Sequence, residues 1–407
     1  MHLHTLTLEE FRSYHHQVLG FEEPGLAVFG ENASGKSSLL EAIAMLATTR
    51  SPRTTTEREL INWSSGGELG VPPFARIAAI VSRADREIEI EIVLQVDPDR
   101  PGSVKKQIKV NRRPVRAMDA VGALNAVFFS PEDVGLVTGP PAQRRRYLDL
   151  TISQLDARYL RSLARYNRIL EQRNSLLKSL NRDGVSADSS VVAGQLAFWD
   201  EELIGFGSRV LARRFGVVRL LSALAAERFQ WLTGGGALAI SYGSTVETPE
   251  VPLAIREGSP EALEMYVGRS FSRALPPRRR DELRRGMTLM GPHRDDLKLT
   301  VAGADLAAYG SRGQQRLAVV ALKLAEVDLM VFETGERPIV LLDDVLSELD
   351  ERHRRMLTDA MMKVGGQLFL TTTDEATFDT PVLADLQRAH ARAGQLEMHS
   401  PGESTAS

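Results

Sequence analysis

The sequence predicts an α/β fold interrupted by an inserted α-helical arm, on three observations. A glycine-rich loop, Gly30-Glu31-Asn32-Ala33-Ser34-Gly35-Lys36-Ser37, joins an apolar run (Leu26 to Phe29) to an apolar-periodic one (Leu39, Leu40, Ala42, Ile43). A second apolar run, Ile339 to Leu342, ends some 300 residues later on two adjacent carboxylates, Asp343 and Asp344. Between the two, the hydrophobic period changes from two to alternating steps of three and four, the change from strand to helix.

Bulk properties set the frame. A chain of 407 residues, 43% hydrophobic and 25% charged, has material for two or three domains with ordinary cores. The formal net charge of −3 does not announce a nucleic-acid partner, although it can hide a local basic face. With no cysteine, disulfides and thiolate metal sites are excluded. The N-terminal "MHLHTLTLEEF" lacks the cationic and apolar segments of a secretory signal, and no apolar run approaches the ~20 residues of a spanning helix. A cytoplasmic protein without a membrane partner is the expectation.

The elements follow in order. After the glycine loop and its helix, "EIEIEIVLQV" (Glu87 to Val96) places Ile88, Ile90, Ile92, Leu94 and Val96 on one face of a strand. "DPDRPGS" turns the chain, and "VKKQIKVNRRPVR" reads as the second strand of a hairpin followed by a bend. From about Leu155 the helical spacing begins: Tyr159, Leu163, Tyr166 and Leu170, then Leu177 and Leu180 after one break at Arg173. Past the polar "NRDGVSADSS", Leu196, Trp199, Leu203, Phe206 and Val210 repeat the spacing, and Val217, Leu220 and Leu224 extend it. Two such seams joined by a polar turn predict an antiparallel hairpin of coiled-coil type, with two ordinary core helices as the alternative. After Pro276 the texture returns to α/β, and the tail "SPGESTAS" reads as disordered.

Chemistry concentrates at both ends. The G-x4-G-K-S spacing lets the backbone curl so that its N–H groups meet phosphate oxygens, while Lys36 reaches the outer phosphates and the Ser37 hydroxyl takes a place on Mg²⁺. Gly30 to Ser38 are therefore candidate nucleotide contacts. Ligands of parallel sheets bind beyond the carboxyl ends of the strands, which puts Asp343 at Mg²⁺ and Asp344 where a general base orients water. A helix N-cap pair is the competing reading of the two aspartates. One head made from both chain ends follows, residues 1–127 with 286–407, and residues 128–285 form the arm.

Several stretches make the match closer: "LEEFRSY", "TTRSPRT", "FFSPEDVGLVTGPPAQRRRYLDL", "GPHRDDL", "YGSRGQQR" and "LLDDVLSELD" occur in the order found in the RecF family. The chain resembles these SMC-like, ABC-type DNA repair ATPases from about Leu8 to Asp374. Ala33 stands where that family more often has glycine, which a negative φ would tolerate.

The resemblance implies more, residue by residue. Arg12 corresponds to an arginine that contacts phosphate. Ser311, Gly313 and Gln314 correspond to a loop that caps the γ-phosphate held by a second subunit, so ATP would drive homodimerisation. Ser347 to Asp350 resemble a loop at the dimer interface, and one of Thr371 to Thr373 a switch residue. His293 reads as a structural hydrogen-bonder. The implied activity is slow, DNA-stimulated hydrolysis that times release from DNA during recombinational repair, with RecR and RecO as partners. A scaffold with incidental hydrolysis is the alternative. For DNA, the stretch Lys105, Lys106, Lys109, Arg112, Arg113 and Arg116 holds six cations and no acid, against the reading of a solvated hairpin face. Arg144 to Arg146 and Arg278 to Arg280 are weaker candidates.

Overall fold

The computed structural model describes residues 1–66, 70, 72–84, 86–186, 189–247, 259–364, 366–373, 383 and 385–399. The tail from Ser400 onward, expected to be disordered, lies outside the described residues. Contacts gather the chain into two compact units, Met1–Val134 with Val319–Ser407, and Gly135–Ala318.

The first unit begins with the strands β1 (His2–Phe11), β2 (Tyr14–Gly20) and β3 (Gly25–Phe29), then helix α1 (Lys36–Thr48). Next come β4 (Phe74–Arg83), β5 (Arg86–Asp97), β6 (Arg100–Val110), β7 (Arg113–Val115) and β8 (Ala126–Phe129). The hairpin forms as its alternation predicts: β5 and β6 pair antiparallel, with Ile90, Ile92, Leu94 and Val96 buried.

The second unit contributes α2 (Pro141–Leu155), α3 (Ala157–Arg182), α4 (Ser190–Thr233), β9 (Leu238–Gly243), α5 (Pro260–Arg285), β10 (Asp296–Val301) and β11 (Ala304–Asp305). Helix α6 (Arg312–Thr334) carries the chain back to the first unit, which ends with β12 (Ile339–Asp343), α7 (Glu351–Val364), β13 (Leu368–Thr372), β14 (Gln387–Arg392) and β15 (Gln395–His399).

Two six-stranded sheets make the first unit. One is antiparallel, in the order β2-β1-β4-β5-β6-β7. The other runs β15-β14-β3-β13-β12-β8 and is parallel from β14 to β8. Helix α1 contacts strands of both sheets, and Leu39 to Ala47 are all buried on it. A helix that is apolar all round belongs in a core, and here it joins the two sheets into one. The register aligns Asp343 with Thr371, and Thr371 with Val28, so the ends of β12, β13 and β3 present their residues together.

In the second unit α3 and α4 pack antiparallel, with Arg173 beside Asp200 and Tyr159 beside Arg214. Three expectations change. The predicted break at Arg173 is no break: Tyr159, Ser162, Tyr166, Ile169, Arg173, Leu177 and Leu180 form one buried seam, and the guanidinium fits it because its charge is matched. The helix α5 runs through Pro276 and Pro277 to Arg285, so α/β texture resumes later than expected. Burial of Leu275, Glu282 and Leu283 on both sides of the prolines offsets the backbone bonds that they remove. Because α5 also packs on α3 and α4, the pair is part of a three-helix body, more than a two-helix coiled coil.

The unit boundary differs too. Residues 286–318, expected with the head, gather with the helices. Strand β10 pairs antiparallel with β9, and buried Asp295 accepts from Thr245 N at 2.7 Å and from the Tyr242 hydroxyl at 2.8 Å.

Candidate nucleotide-binding site

The loop between β3 and α1 takes its shape from two glycines that nothing else could replace. Gly30 (φ 149°) lies so close to the next strand that a Cβ would sit 2.4 Å from Ala391 O. Gly35 (φ 112°) immediately precedes the helix and would press a Cβ on Tyr14, whose hydroxyl donates to Gly35 O at 2.9 Å. Ala33 does not meet the condition of a negative φ: it stands at φ 64°, in the left-handed region. That conformation costs an L-residue roughly 1–2 kcal/mol, and Ala33 accepts it where a family glycine would not pay.

Lys36 is buried at 7% exposure, and its ammonium donates to Gly30 O at 2.6 Å and to Glu31 O at 2.7 Å. Burial lowers its pKa, while Asp344 and Asp343 oppose the shift. Ser37 Oγ donates to Asp343 Oδ1 at 2.7 Å, and Thr371 Oγ1 donates to the same oxygen at 2.9 Å. Burial raises the Asp343 pKa against those two hydrogen bonds.

Asp344 adopts φ 52°, fixed by its N–H donating to Thr371 O at 3.2 Å and to Thr371 Oγ1 at 3.1 Å. A non-glycine residue held there stores strain of the kind that gathers at functional sites. The capping alternative for the aspartates does not hold, because the short helix Leu346–Glu348 begins at Val345 without a side-chain cap. Of the three candidate threonines, Thr371 ties both carboxylate residues together, while Thr373 lines the cavity.

That cavity measures about 860 Å³, and its walls come from the first unit. Asn32, Ala33, Gly35, Lys36, Ser37, Ser38, Asp343 and Asp344 line one part of it, Arg12 and Ser13 another. Arg12 (φ 53°) does not point a free guanidinium at the space. Its Nε and one terminal nitrogen grip fully buried Glu41 at 2.9 and 2.8 Å, and the other nitrogen donates to Glu59 O at 2.9 Å. Ser51 donates to Glu41 as well. Sequence reading missed Arg53, Arg58, Glu59, Ile61 and Trp63, which complete the lining from a segment without hydrophobic period.

Among the described residues, three buried oxygens at this place lack a protein partner: Ser13 Oγ, Ser34 Oγ and Asp344 Oδ1. Buried polar groups are normally satisfied, so such a cluster marks room for a polar ligand. The donor set fits a triphosphate with Mg²⁺: one ammonium, a helix N-terminus, and hard oxygens from Ser37 and Asp343.

Other sequence candidates fall elsewhere. Ser311 and Gln314 open α6 as a reciprocal cap, Gln314 N donating to Ser311 Oγ at 3.2 Å and Ser311 N to Gln314 Oε1 at 2.9 Å. Both are exposed, as is Gly313. His293 is structural, its Nδ1 2.6 Å from the Tyr166 hydroxyl and its Nε2 3.2 Å from Thr288 O.

The basic hairpin is largely neutralised. Lys105 meets Asp97 at 3.0 Å, Lys109 meets Glu91 at 2.6 Å, Lys106 pairs with Glu57, Arg112 with Glu89 and Arg116 with Asp119. Arg113 alone of the six has no ion pair among the described residues. Arg144 grips Asp296 and Arg279 reaches Asp200.

Comparisons with known proteins agree with this geometry. Residues 2–388 match the family described as the RecF/RecN/SMC N terminal domain. The chain is 46% identical to the DNA replication and repair protein RecF of Thermomicrobium roseum, over 98% of this chain and 100% of that one. It is similar to two solved structures of the recombination mediator protein RecF of the RecFOR pathway. The ATPrS complex has TM-score 0.82, 29% identity and 98% of each chain covered; the ATP complex has TM-score 0.80, 30% identity, and 98% and 97% covered. Among the described residues no helix is long and apolar enough to cross a membrane. An ABC-type ATPase head of the SMC kind, with its glycine loop and carboxylate strand at the ends of one parallel sheet and a helical insertion between them, is the fold of this chain, which belongs to the RecF family of DNA replication and repair proteins.

Proposed function

We propose that this protein binds and slowly hydrolyses ATP, and that ATP joins two copies of it on DNA during recombinational repair. The observation that carries the nucleotide reading is the pair of unpartnered buried oxygens, Ser13 Oγ and Asp344 Oδ1, on residues that line one cavity with Lys36, together with Ser34 Oγ in the loop itself. The ATP complex of a similar RecF supports the same choice of ligand.

In this reading Lys36 exchanges the carbonyls of Gly30 and Glu31 for phosphate oxygens, and the amides of the loop and of Ser37 and Ser38 close around the phosphates. Mg²⁺ held by Ser37 and Asp343 supplies positive charge that offsets the phosphate oxygens. Asp344 orients a water toward the γ-phosphorus and takes its proton as the bond to the ADP oxygen breaks. Thr371 holds the Asp343 carboxylate and the backbone N–H of Asp344.

Ser311, Gly313 and Gln314 are assigned to the γ-phosphate of a second copy. The side chains and amides of Ser311 and Gln314 already make the cap of α6, so the amides of Arg312 and Gly313 in its first turn would serve as donors. DNA is the proposed partner, with RecR and RecO as further partners because its relatives act in the RecFOR pathway. The hairpin cations contact DNA phosphate only by giving up their carboxylates, which makes Lys105, Lys106, Lys109, Arg112 and Arg116 modest contributors beside Arg113.

A mixing experiment tests the composite site. Ser311→Arg should bind ATP as a monomer yet neither dimerise nor turn over, and Lys36→Ala should fail to bind. Mixed, the two chains form one intact site, with the loop of Gly30 to Ser37 from the first and the Ser311 loop from the second. Recovery of dimer by light scattering is expected. Loss of ATP binding in the Ser311→Arg monomer would assign the loop to its own subunit.

A further inference from the structure

We propose that Trp63 is the platform on which the nucleotide base stacks, an inference that rests on the nucleotide reading of the cavity. Trp63 is 89% exposed, and among the described residues it is the one aromatic side chain in the cavity lining. Single exposed hydrophobics are common on proteins and need no cause. This one differs in how firmly it is presented.

Its neighbours are tied down on both sides. Ile61 bridges to Phe11, Arg12 N donates to Leu60 O at 2.8 Å, and Asn62 N donates to Glu10 O at 2.7 Å. Asn62 Oδ1 then accepts from Ser64 N at 2.9 Å and from Ser64 Oγ at 2.7 Å, closing a side-chain turn around Trp63. Ser65 Oγ accepts from Phe74 N at 3.1 Å and donates to Phe74 O at 3.0 Å. Ile61, Asn62 and Ser65 are buried. An indole left in water on a fastened turn forgoes the burial that usually places tryptophan. Presented toward a cavity, it offers a fixed flat apolar surface.

The position suits a base. The turn at Arg12 and Ser13 lies against the phosphate loop, because Tyr14 bonds Gly35 O. The chain from Leu60 to Asn62 runs antiparallel to the end of β1, and because Arg76 of β4 takes the place opposite Glu9, it turns out of the sheet at Trp63. Apart from Trp63, the lining from the same segment offers Ile61, the cation Arg58 and Glu59, and most of the rest of the cavity is polar or charged. A planar, π-faced ligand is the occupant that this combination suits, and stacking of this kind accepts any base.

Calorimetric titration with two ligands tests it, each with Mg²⁺: ATP, and inorganic tripolyphosphate, which has the phosphates without the base. Trp63→Ala should lose about ten- to a hundredfold in ATP affinity and none for tripolyphosphate. Trp63→Phe, which keeps an aromatic face, should stay near the original ATP affinity. Equal losses for both ligands, or no loss for ATP, would overturn the assignment. So would an ATP affinity that is unchanged in the monomer while ATP-dependent dimerisation fails, which would give the indole to a second copy. If the unaltered protein binds neither ligand, the nucleotide reading itself fails and this proposal goes with it. If it binds tripolyphosphate and ATP equally well, only the stacking claim falls.

Discussion

Lys36 in the first unit and Arg173 in the second are both buried cations, and they are satisfied in opposite ways. Lys36 donates to two loop carbonyls, beside three buried oxygens that have no protein partner. Arg173, at 0% exposure, spends every nitrogen on a firm acceptor: Asp200 Oδ1 at 2.8 Å, Thr288 Oγ1 at 2.7 Å and Glu282 Oε2 at 2.7 Å. Glu282 uses its other oxygen to accept from Leu289 N at 2.9 Å. Arg214 repeats the pattern with Tyr159, Tyr242, Asp149 and Pro292 O. A cluster whose groups are all paired holds elements together. One with groups left over is prepared for something that arrives.

The largest effect should come from the prepared cluster. Asp344→Asn keeps the size and the left-handed backbone, but an amide cannot take a proton from water. Turnover should fall 10²–10⁴-fold, the usual loss for a general base, while ATP affinity and stability stay close to the original. Single-turnover hydrolysis beside a binding titration separates the two. Near-normal turnover would return Asp344 to a structural role and erase the contrast.

Next is the saturated cluster. Arg173→Ala strands Glu282 in the interior, leaves Asp200 with Arg279 alone, and should cost the second unit about 3–5 kcal/mol. Trp199 and Trp231 both lie on α4 and report its unfolding in denaturant. ATP affinity of the folded monomer should not change. Replacing Arg173, Asp200 and Glu282 together by apolar residues should recover most of the loss, since the cost comes from unpaired charge. A triple variant as weak as Arg173→Ala would mean that the node contributes in some other way.

The contrast also explains what the sequence could tell. The glycine loop is local: Gly30, Gly35, Lys36 and Ser37 show their chemistry in one short span, and Asp343 is marked by the apolar strand that delivers it. The parallel sheet and the hairpin were legible for the same reason, a period within a single element. Arg173 looked like an interruption because its partners lie 27, 109 and 115 residues away. Nothing nearby shows that a cation is welcome in the seam. The carboxylates that neutralise the hairpin were in view, since Glu89 and Glu91 alternate with the isoleucines, but pairing them needed the register Glu91 to Lys109. Arg53, Arg58 and Trp63 come from irregular chain, where spacing carries no signal. Ala33 could not be settled because residue type biases φ without fixing it.

A smaller effect concerns acid. Burial first, and then the nearby charges of Arg294, Arg145 and Arg173, push the His293 pKa down to about 4, against a bond to Thr288 that raises it. The folded state therefore keeps this ring neutral, while the unfolded chain takes up its proton near 6.5. Stability should fall as pH drops from 6.5 toward 4, by at most about 1.4 kcal/mol per pH unit. Asp133, raised to about 6 by burial, works in the other direction as pH falls through that range. The comparison with His293→Gln isolates the histidine: the variant should start less stable and lose less with acid. Parallel curves would mean that the imidazole is protonated without penalty, and that this part of the second unit is less saturated than its bonds suggest.

The smallest effect falls on the hairpin, where the contrast is most exposed to failure. If paired cations are architecture, Lys105, Lys106 and Lys109 resemble Arg173 more than Lys36, although their pairs are at the surface. Each free lysine that binds a DNA phosphate adds roughly one unit to the slope of log affinity against log salt. Three free lysines would therefore add about three. A lysine that must first leave Asp97, Glu57 or Glu91 gains less, because one anion is exchanged for another. Neutralising all three to alanine should flatten the slope by less than one unit and shift affinity for every DNA sequence alike. Stability should hardly move, since exposed pairs contribute only about 0–1 kcal/mol each. Arg113→Ala, without a pair to break, should by itself lower the slope as much as the three lysines together. A fall of three units in the triple variant would show that surface pairing does not retire a cation from binding, and would restrict the distinction between paired and unpaired groups to the buried interior.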